Sequence, residues 1–188
     1  MSRGLTGASL ASLIFGLLTV LACGNTGLQP GIVANAVDTV SLYAVDGTAL
    51  DQPSAFRIAA PHVLRVDQSS DFDFVFNLTA GDSAVLLPTG AVRLGIGSGI
   101  QIVKAPFDAI TVVPGGVYVD SLPVHVDSGT VAVVHSRAIS CVVTGSFSFL
   151  FAKLQVTKID TLARRIDMIV LTNQNCGYHS LEPGNPTR

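Results

Sequence analysis

The carboxyl groups with the clearest spacing for chemistry belong to Asp71 and Asp73. They lie two positions apart in an extended segment, so both side chains are expected on the same side of a strand. Two neighbouring carboxylates can divide acid and base roles when their pKa values are driven apart, or they can bind Ca²⁺ together with Asp67. No calcium-binding loop accompanies them, and a phenylalanine-rich face lies opposite. The sequence therefore favours an ordinary solvent-facing polar side.

A second polar set consists of His125, Asp127 and His135. The first two share one face of a short strand, and His135 is expected on the strand that follows. Two imidazoles and a carboxylate from adjacent strands could hold a metal with an open coordination position. In a hairpin that turns at Ser128-Gly129, however, His135 lies several residues out of register with His125. The spacing favours exposed histidines and predicts no metal or other cofactor.

Segments that would support nucleophilic or phosphate chemistry are incomplete. Gly97-Ser98-Gly99 lacks the G-x-S-x-G frame of a nucleophile elbow. The wider stretch from Gly95 is not the G-x-G-x-x-G pattern of a dinucleotide-binding turn. The chain has a formal net charge of −2 and no basic cluster beyond one Arg-Arg pair, whereas nucleic-acid binding needs a positive stripe. The sequence therefore predicts no catalytic residue and no nucleic-acid partner.

Composition indicates that strands must position these residues. The 188-residue chain contains a single Glu, three Lys and no Trp, although Glu and Lys are the usual residues of exposed helix faces. Val, Thr, Phe and Ile dominate the periodic segments instead, which is typical of strands. About ten such segments alternate with turn signals at intervals of about 8–12 residues. This pattern predicts an all-β fold, an antiparallel β-sandwich of about ten short strands forming one domain over residues 39–188.

Two parts of this pattern are especially clear. The segment Phe72–Leu78 places Phe72, Phe74, Phe76 and Leu78 on one face of a predicted strand. The long segment Ser146–Thr157 and the segment Ile166–Thr172 are predicted to pair as a hairpin.

The first 22 residues have the organisation of a removable signal peptide. Arg3 supplies a positive charge, and Leu10–Ala22 is apolar without a charged residue. This run of 13 residues is too short for a bilayer core that needs about 20 helical residues, but it suits the apolar region of a signal peptide. The prediction is that Met1–Ala22 is the leader.

The stretch Val20-Leu21-Ala22-Cys23-Gly24 resembles the lipobox of bacterial lipoproteins, which has an aliphatic residue three positions before the cysteine and a small residue directly before it. The resemblance implies a thioether-linked diacylglyceryl group on Cys23, cleavage after Ala22 and acylation of the new amino group. Two or more acyl chains hold a protein stably on a membrane. Gly24 stands where lipoproteins retained in the inner membrane often carry Asp, so an outer-membrane location in the cell envelope is favoured. An ordinary secretory signal and an uncleaved anchor remain alternatives.

The other two cysteines, Cys141 and Cys176, would then lie in an oxidising compartment, where pairing is the default. Closing a loop of about 36 residues would stabilise the fold by roughly 3–4 kcal/mol. Two distant cysteines without a C-x₂-C unit do not have zinc spacing. The prediction is a disulfide, with free thiols as the alternative.

A C-terminal stretch is similar to bacterial lipoproteins of unassigned function. The similarity rests on Cys141, Phe151–Leu154, Asn175–Tyr178 and Leu181–Gly184. The similarity implies no activity, because these lipoproteins have no assigned function.

These features together predict a lipid-anchored, non-enzymatic envelope protein that acts as an interaction, binding or structural module. The protein is predicted to associate with the membrane through acyl chains on Cys23. Residues 23–38 are predicted to be a flexible tether. One alternative is an envelope hydrolase that uses Asp71, Asp73 or His125. Another is a small-molecule carrier, which would need a large apolar cavity between the sheets.

Overall fold

The computed structural model describes residues 31–95, 97–141 and 147–186, and over these ranges nearly all regular structure is antiparallel β-structure. The helical structure within them is one 3₁₀ turn at Phe107–Ala109. No helix in these ranges is long and apolar enough to cross a bilayer. The strands are β1 (Ala36–Tyr43), β2 (Ala55–Arg57), β3 (His62–Leu64), β4 (Phe74–Leu78), β5 (Ala84–Pro88), β6 (Gly99–Ile102), β7 (Val124–His125), β8 (Val131–His135), β9 (Ile139–Ser140), β10 (Phe147–Ser148), β11 (Phe151–Asp160) and β12 (Arg165–Asn173).

Ten of these strands form two five-stranded sheets. The first sheet has the order β1-β12-β11-β8-β6, and the second has the order β3-β2-β4-β5-β7. Inward side chains of both sheets share one apolar core, in which Leu42, Phe74, Phe76, Leu154 and Met168 are fully buried. Strands β9 and β10 form a separate two-stranded hairpin. The all-β antiparallel sandwich predicted from the sequence is confirmed.

The centre of the first sheet is the hairpin of β11 and β12, which pair from Phe151↔Asn173 to Asp160↔Arg165. In the turn, Arg164 adopts a φ of 51° and the Asp160 carboxylate accepts the Ala163 N–H at 2.9 Å. The hairpin predicted from the sequence is therefore confirmed. The predicted strand from Ser146 divides, because Phe147–Ser148 pairs with β9 before β11 begins.

The strand predicted over Phe72–Leu78 begins later than expected, at Phe74. Phe74, Phe76 and Leu78 enter the core between the sheets, whereas Phe72 packs on the outer face with Ala55 and Val75. The prediction that Phe72 shares their face is wrong. The two-residue alternation holds only along the paired strand, and the backbone bends before it.

Strands β7 and β8 do not form the hairpin expected around Ser128-Gly129. Strand β7 pairs with β5 in the second sheet, whereas β8 pairs with β11 and β6 in the first sheet. The chain does turn at these residues, but the turn carries it from one sheet to the other. His125 and His135 consequently belong to different sheets.

The ordered domain begins before Thr39. Gly31 donates its N–H to the Pro186 carbonyl at 2.6 Å, and Asn35 forms an antiparallel bridge with Gly184. The prediction of a tether over residues 23–38 is therefore wrong for residues 31–38. Gly31 and Asn35 bond the C-terminal segment, and residues 36–38 belong to β1, which pairs with β12. Cys23 and the predicted leader Met1–Ala22 lie outside the described residues.

Candidate functional site

Asp73 is a buried carboxylate with two backbone partners. Its side chain accepts the N–H of Ile58 at 2.7 Å and the N–H of Arg137 at 3.1 Å, and only 3% of the residue is exposed. Burial raises the pKa of Asp73, because desolvation disfavours the charged form more than the two N–H groups favour it. The prediction that Asp73 lies on a solvent-facing side is wrong, because it joins the second sheet to the segment after β8.

Asp71 has a different environment, because its side chain is largely exposed. It forms an ion pair with Arg57 at 2.7 Å and a second one with Arg137. Asp71 thus contacts the side chain of Arg137, while Asp73 contacts the backbone of the same residue. The two carboxylates support Arg137 from two directions and do not face each other as an acid–base pair would.

The three residues considered for metal binding are not brought together. His125 is exposed, with Nδ1 3.0 Å from the Ser83 hydroxyl, and Asp127 lies in the crossing turn. His135 is half-buried in the other sheet. Among residues 31–95, 97–141 and 147–186, no group of three or more His, Cys, Asp or Glu side chains could hold a metal ion.

A cleft of about 540 Å³ lies beside the end of β8. Its lining comes from the segment before β6, from the end of β8 and the residues directly after it, and from the connection between β10 and β11. The segment that bridges to β6 through Val119 also contributes. The lining residues are Gly97, Asp120, His135, Arg137, Ala138 and Phe149. We refer to this feature as the Arg137 cleft.

Two glycines make room for the polar side chains of the Arg137 cleft. A Cβ atom at Gly97 would lie 2.6 Å from Cγ of Arg137, and one at Gly99 would lie 2.5 Å from Nε2 of His135. Any other residue at these positions would displace the two side chains. Gly97 and Gly99, for which the spacing predicted no phosphate-binding role, therefore permit this close packing.

The neighbours of His135 fix the orientation and the tautomer of its ring. Its Nδ1 lies 2.9 Å from the Ser136 carbonyl, which can only accept, so Nδ1 carries the proton. In the neutral imidazole, Nε2 is then an acceptor. The ring lies between Tyr118 and Phe149, with centroids 5.0 Å and 4.7 Å away. Burial raises the pKa of Tyr118 to about 12, so this phenol stays protonated.

Asp120 contributes a carboxylate to the lining of the Arg137 cleft. It is half-buried, and within the ranges that the structure describes its carboxylate makes no hydrogen bond or ion pair. A Cβ atom at Gly90 would come within 2.3 Å of the Asp120 carbonyl oxygen, so a third glycine admits the backbone of this residue. A carboxylate without a protein partner can accept hydrogen bonds from a bound ligand.

Two further buried polar residues have structural roles. Ser98 exchanges hydrogen bonds with Thr89 and donates to the Asp73 carbonyl. Lys153, only 2% exposed, donates to the carbonyls of Phe107 at 3.0 Å and Ile110 at 2.9 Å. Burial lowers the pKa of Lys153. The burial of Lys153 is not predictable from the residue type, because a lysine on a strand normally faces solvent.

The predicted disulfide is present in the structure. Cys141 and Cys176 are bonded, and their Cα atoms are 5.8 Å apart, within the usual range for a disulfide. Cys141 follows β9 and lies four positions after Arg137, so the bond links the region of the Arg137 cleft to the C-terminal segment.

No protein-family model matches this sequence, and no curated protein matches it. The similarity of the C-terminal stretch to lipoproteins of unassigned function therefore stays a prediction.

Proposed function

We propose that this chain is a lipid-anchored protein of the cell envelope whose sandwich domain binds a partner in the Arg137 cleft, without catalysing a reaction. The observation that carries the proposal is the half-buried Asp120 carboxylate, which has no partner among the described residues and lines a cleft with His135, Arg137 and Phe149. A few placed polar groups beside aromatic side chains are typical of ligand sites.

The positions of the other polar candidates favour binding over hydrolysis. An envelope hydrolase would need Asp71, Asp73 or His125 aimed into a shared pocket. Asp73 is buried against two backbone N–H groups, and Asp71 is held in two ion pairs. His125 lies at the edge of the second sheet beside Ser83. None of these three lines the Arg137 cleft.

The envelope location is supported by two independent features. The stretch Val20–Cys23 resembles a lipobox, and the bonded pair Cys141–Cys176 suits a compartment in which disulfides persist. Acyl chains on Cys23 would hold the domain at the membrane, because two or more chains anchor a protein stably. Gly24 favours the outer membrane as the destination.

The anchor is tested by expressing the full chain in a bacterium with two membranes. We expect a leader-cleaved protein in the membrane fraction and a lipid-modified Cys23 peptide in the mass spectrum. The variant Cys23→Ser should lose the modification and leave the membrane fraction. The matched control is the double variant Cys141→Ala/Cys176→Ala, which removes the disulfide of the folded domain and should keep the anchor.

Two outcomes would contradict the anchor. One is an unmodified, uncleaved N-terminus in the wild-type protein. The other is a leader-cleaved Cys23→Ser protein that still sediments with membranes.

A further inference from the structure

We propose that the Arg137 cleft binds a neutral, polyhydroxylated ligand, which is the chemistry of a carbohydrate chain. This inference rests on the proposed function, because it names the class of partner for the same site. It is argued from the charges, the hydrogen-bonding groups and the aromatic surface of the cleft.

The charges of the cleft favour a neutral ligand. Asp120 and Arg137 line it with opposite signs, and Asp71 adds a second carboxylate on the far side of Arg137. An anion placed in the cleft would meet Arg137 but also the Asp120 carboxylate, which forms no ion pair with any residue that the structure describes. A cation would meet the Arg137 guanidinium. Like charges held close together in a partly desolvated site are unfavourable, so neither ion suits this lining.

The hydrogen-bonding groups of the cleft match hydroxyl groups. The Asp120 carboxylate only accepts, and the Arg137 guanidinium only donates, with one of its nitrogens directed at Asp71. His135 adds a ring whose Nε2 accepts in the neutral form. A hydroxyl both donates and accepts, so a ligand with several adjacent hydroxyls can satisfy an acceptor and a donor at once. A purely apolar ligand would cover Asp120 without replacing its water.

The aromatic lining provides a surface for a sugar ring. Phe149 lines the cleft and is 40% exposed, and it packs against His135, which packs against Tyr118. Aromatic faces carry partial negative charge, and the C–H groups on one face of a pyranose carry the complementary partial positive charge. The volume of about 540 Å³ lies within the range of about 300–1,000 Å³ found for ligand sites.

The test uses the full-length mature protein on an array of neutral oligosaccharides that contains α- and β-linked hexoses and N-acetylhexosamines. Dextran sulfate and polylysine are added to the array as anionic and cationic probes. We expect binding to at least one neutral glycan that exceeds binding to either charged polymer. The variants Asp120→Asn and Phe149→Ala should bind that glycan roughly tenfold or more weakly, because each removes a contact of the cleft.

Two matched controls separate loss of the site from loss of the fold. Phe147→Ala removes a more exposed phenylalanine two positions away, and Asp127→Asn removes an exposed carboxylate outside the cleft. Both should bind the glycan as the wild-type protein does. All four variants should have a midpoint of urea denaturation close to that of the wild-type protein, since none removes a fully buried contact.

The inference is overturned if no neutral glycan on the array is bound, if dextran sulfate or polylysine is preferred, or if Phe149→Ala and Phe147→Ala bind equally well. A cell-envelope crosslink to a protein that disappears in Phe149→Ala would also overturn the carbohydrate assignment, while it would support the proposed function. A failed anchor test with Cys23→Ser would say nothing against glycan binding by the domain. The lipid anchor and the carbohydrate site can therefore be disproved separately.

Discussion

At the scale of single residues, two aspartates that lie two positions apart just before β4 have opposite environments. Asp71 is exposed and paired with two arginines, whereas Asp73 is buried against two backbone N–H groups. Sequence alternation predicted one solvent-facing side for both, because it was extended back beyond the start of β4. A bend in the backbone is not visible in the pattern of residue types, so the burial of Asp73 could not be predicted.

The buried Asp73 predicts a pH-dependent stability. Its pKa is raised in the folded protein, so the folded state keeps a proton over a range in which the unfolded chain has lost it. The contribution of Asp73 to stability is complete below the unfolded pKa of about 4 and is lost as the pH rises through the folded pKa. Relative to the variant Asp73→Asn, the free energy of unfolding of the wild-type protein should therefore fall as the pH increases from about 4 to 7.

This comparison is made by urea denaturation of both proteins over that pH range. Asp127→Asn, which removes an exposed carboxylate, is the control for a change in one side-chain charge. A difference between wild type and Asp73→Asn that stays constant with pH, or that grows in favour of the wild type at higher pH, would contradict the prediction.

At the scale of elements, local pairings were predictable and distant ones were not. The β11–β12 hairpin follows from two periodic segments joined by a short turn, and all the information lies within one stretch of chain. Strands β7 and β8 present the same local signal, yet they join different sheets because each finds its partner far away in the sequence. Turn residues specify a reversal of direction but not the sheet in which the next strand pairs.

Lys153 illustrates how one element can be held onto another. Residues 152, 154 and 156 of β11 face the sandwich core, and Lys153 faces the other side, under the 3₁₀ turn at Phe107–Ala109. Its ammonium group lies 4.5 Å from the Phe107 ring centroid and donates to two carbonyls of the turn. The side chain thereby anchors the turn to the centre of the first sheet.

The variant Lys153→Met should lose this anchor, because methionine fills similar space without a donor. We expect the free energy of unfolding to fall by about 1–3 kcal/mol, the cost of two buried carbonyls that lose charged partners. Hydrogen exchange should become faster at the amides of Ala109 and Ile110, which close the turn.

The matched control is Lys158→Met, which removes a solvent-exposed lysine of the same strand. Its effect should stay within about 0.5 kcal/mol. Unchanged exchange at Ala109 and Ile110 in Lys153→Met would show that the lysine does not hold the turn.

At the scale of the whole molecule, the disulfide is the covalent link between the cleft region and the C-terminal segment. Replacing both cysteines, as Cys141→Ala/Cys176→Ala, should lower the free energy of unfolding by about 3–4 kcal/mol, because the unfolded chain regains the freedom of a loop of about 36 residues. Urea denaturation measures the loss. The wild-type protein under reducing conditions should approach the variant, and equal stability of the oxidised wild type and the variant would contradict the prediction.

The fold class and the disulfide could be predicted because composition, alternation and cysteine count report on the whole chain at once. The Arg137 cleft could not, because its lining comes from four segments around Gly97, Asp120, His135 and Phe149. None of these segments is unusual alone. The repeated glycines from Gly95 to Gly99 were the one local signal, since close backbone approach is a common reason for glycine within a strand.

The chain enters and leaves the sandwich at one place. The Gly31–Pro186 hydrogen bond and the Asn35–Gly184 bridge hold the two ends together, and the Asn175 side chain bonds both the N–H and the carbonyl of Val33. Because Gly31 and Pro186 are adjacent, a short linker can join them without strain, which favours circular permutation of the domain between them. A reporter fused directly after Pro186 would lie beside Gly31. Engineered fusions are therefore better inserted in an exposed turn, such as the one around Leu162, than appended to the terminus.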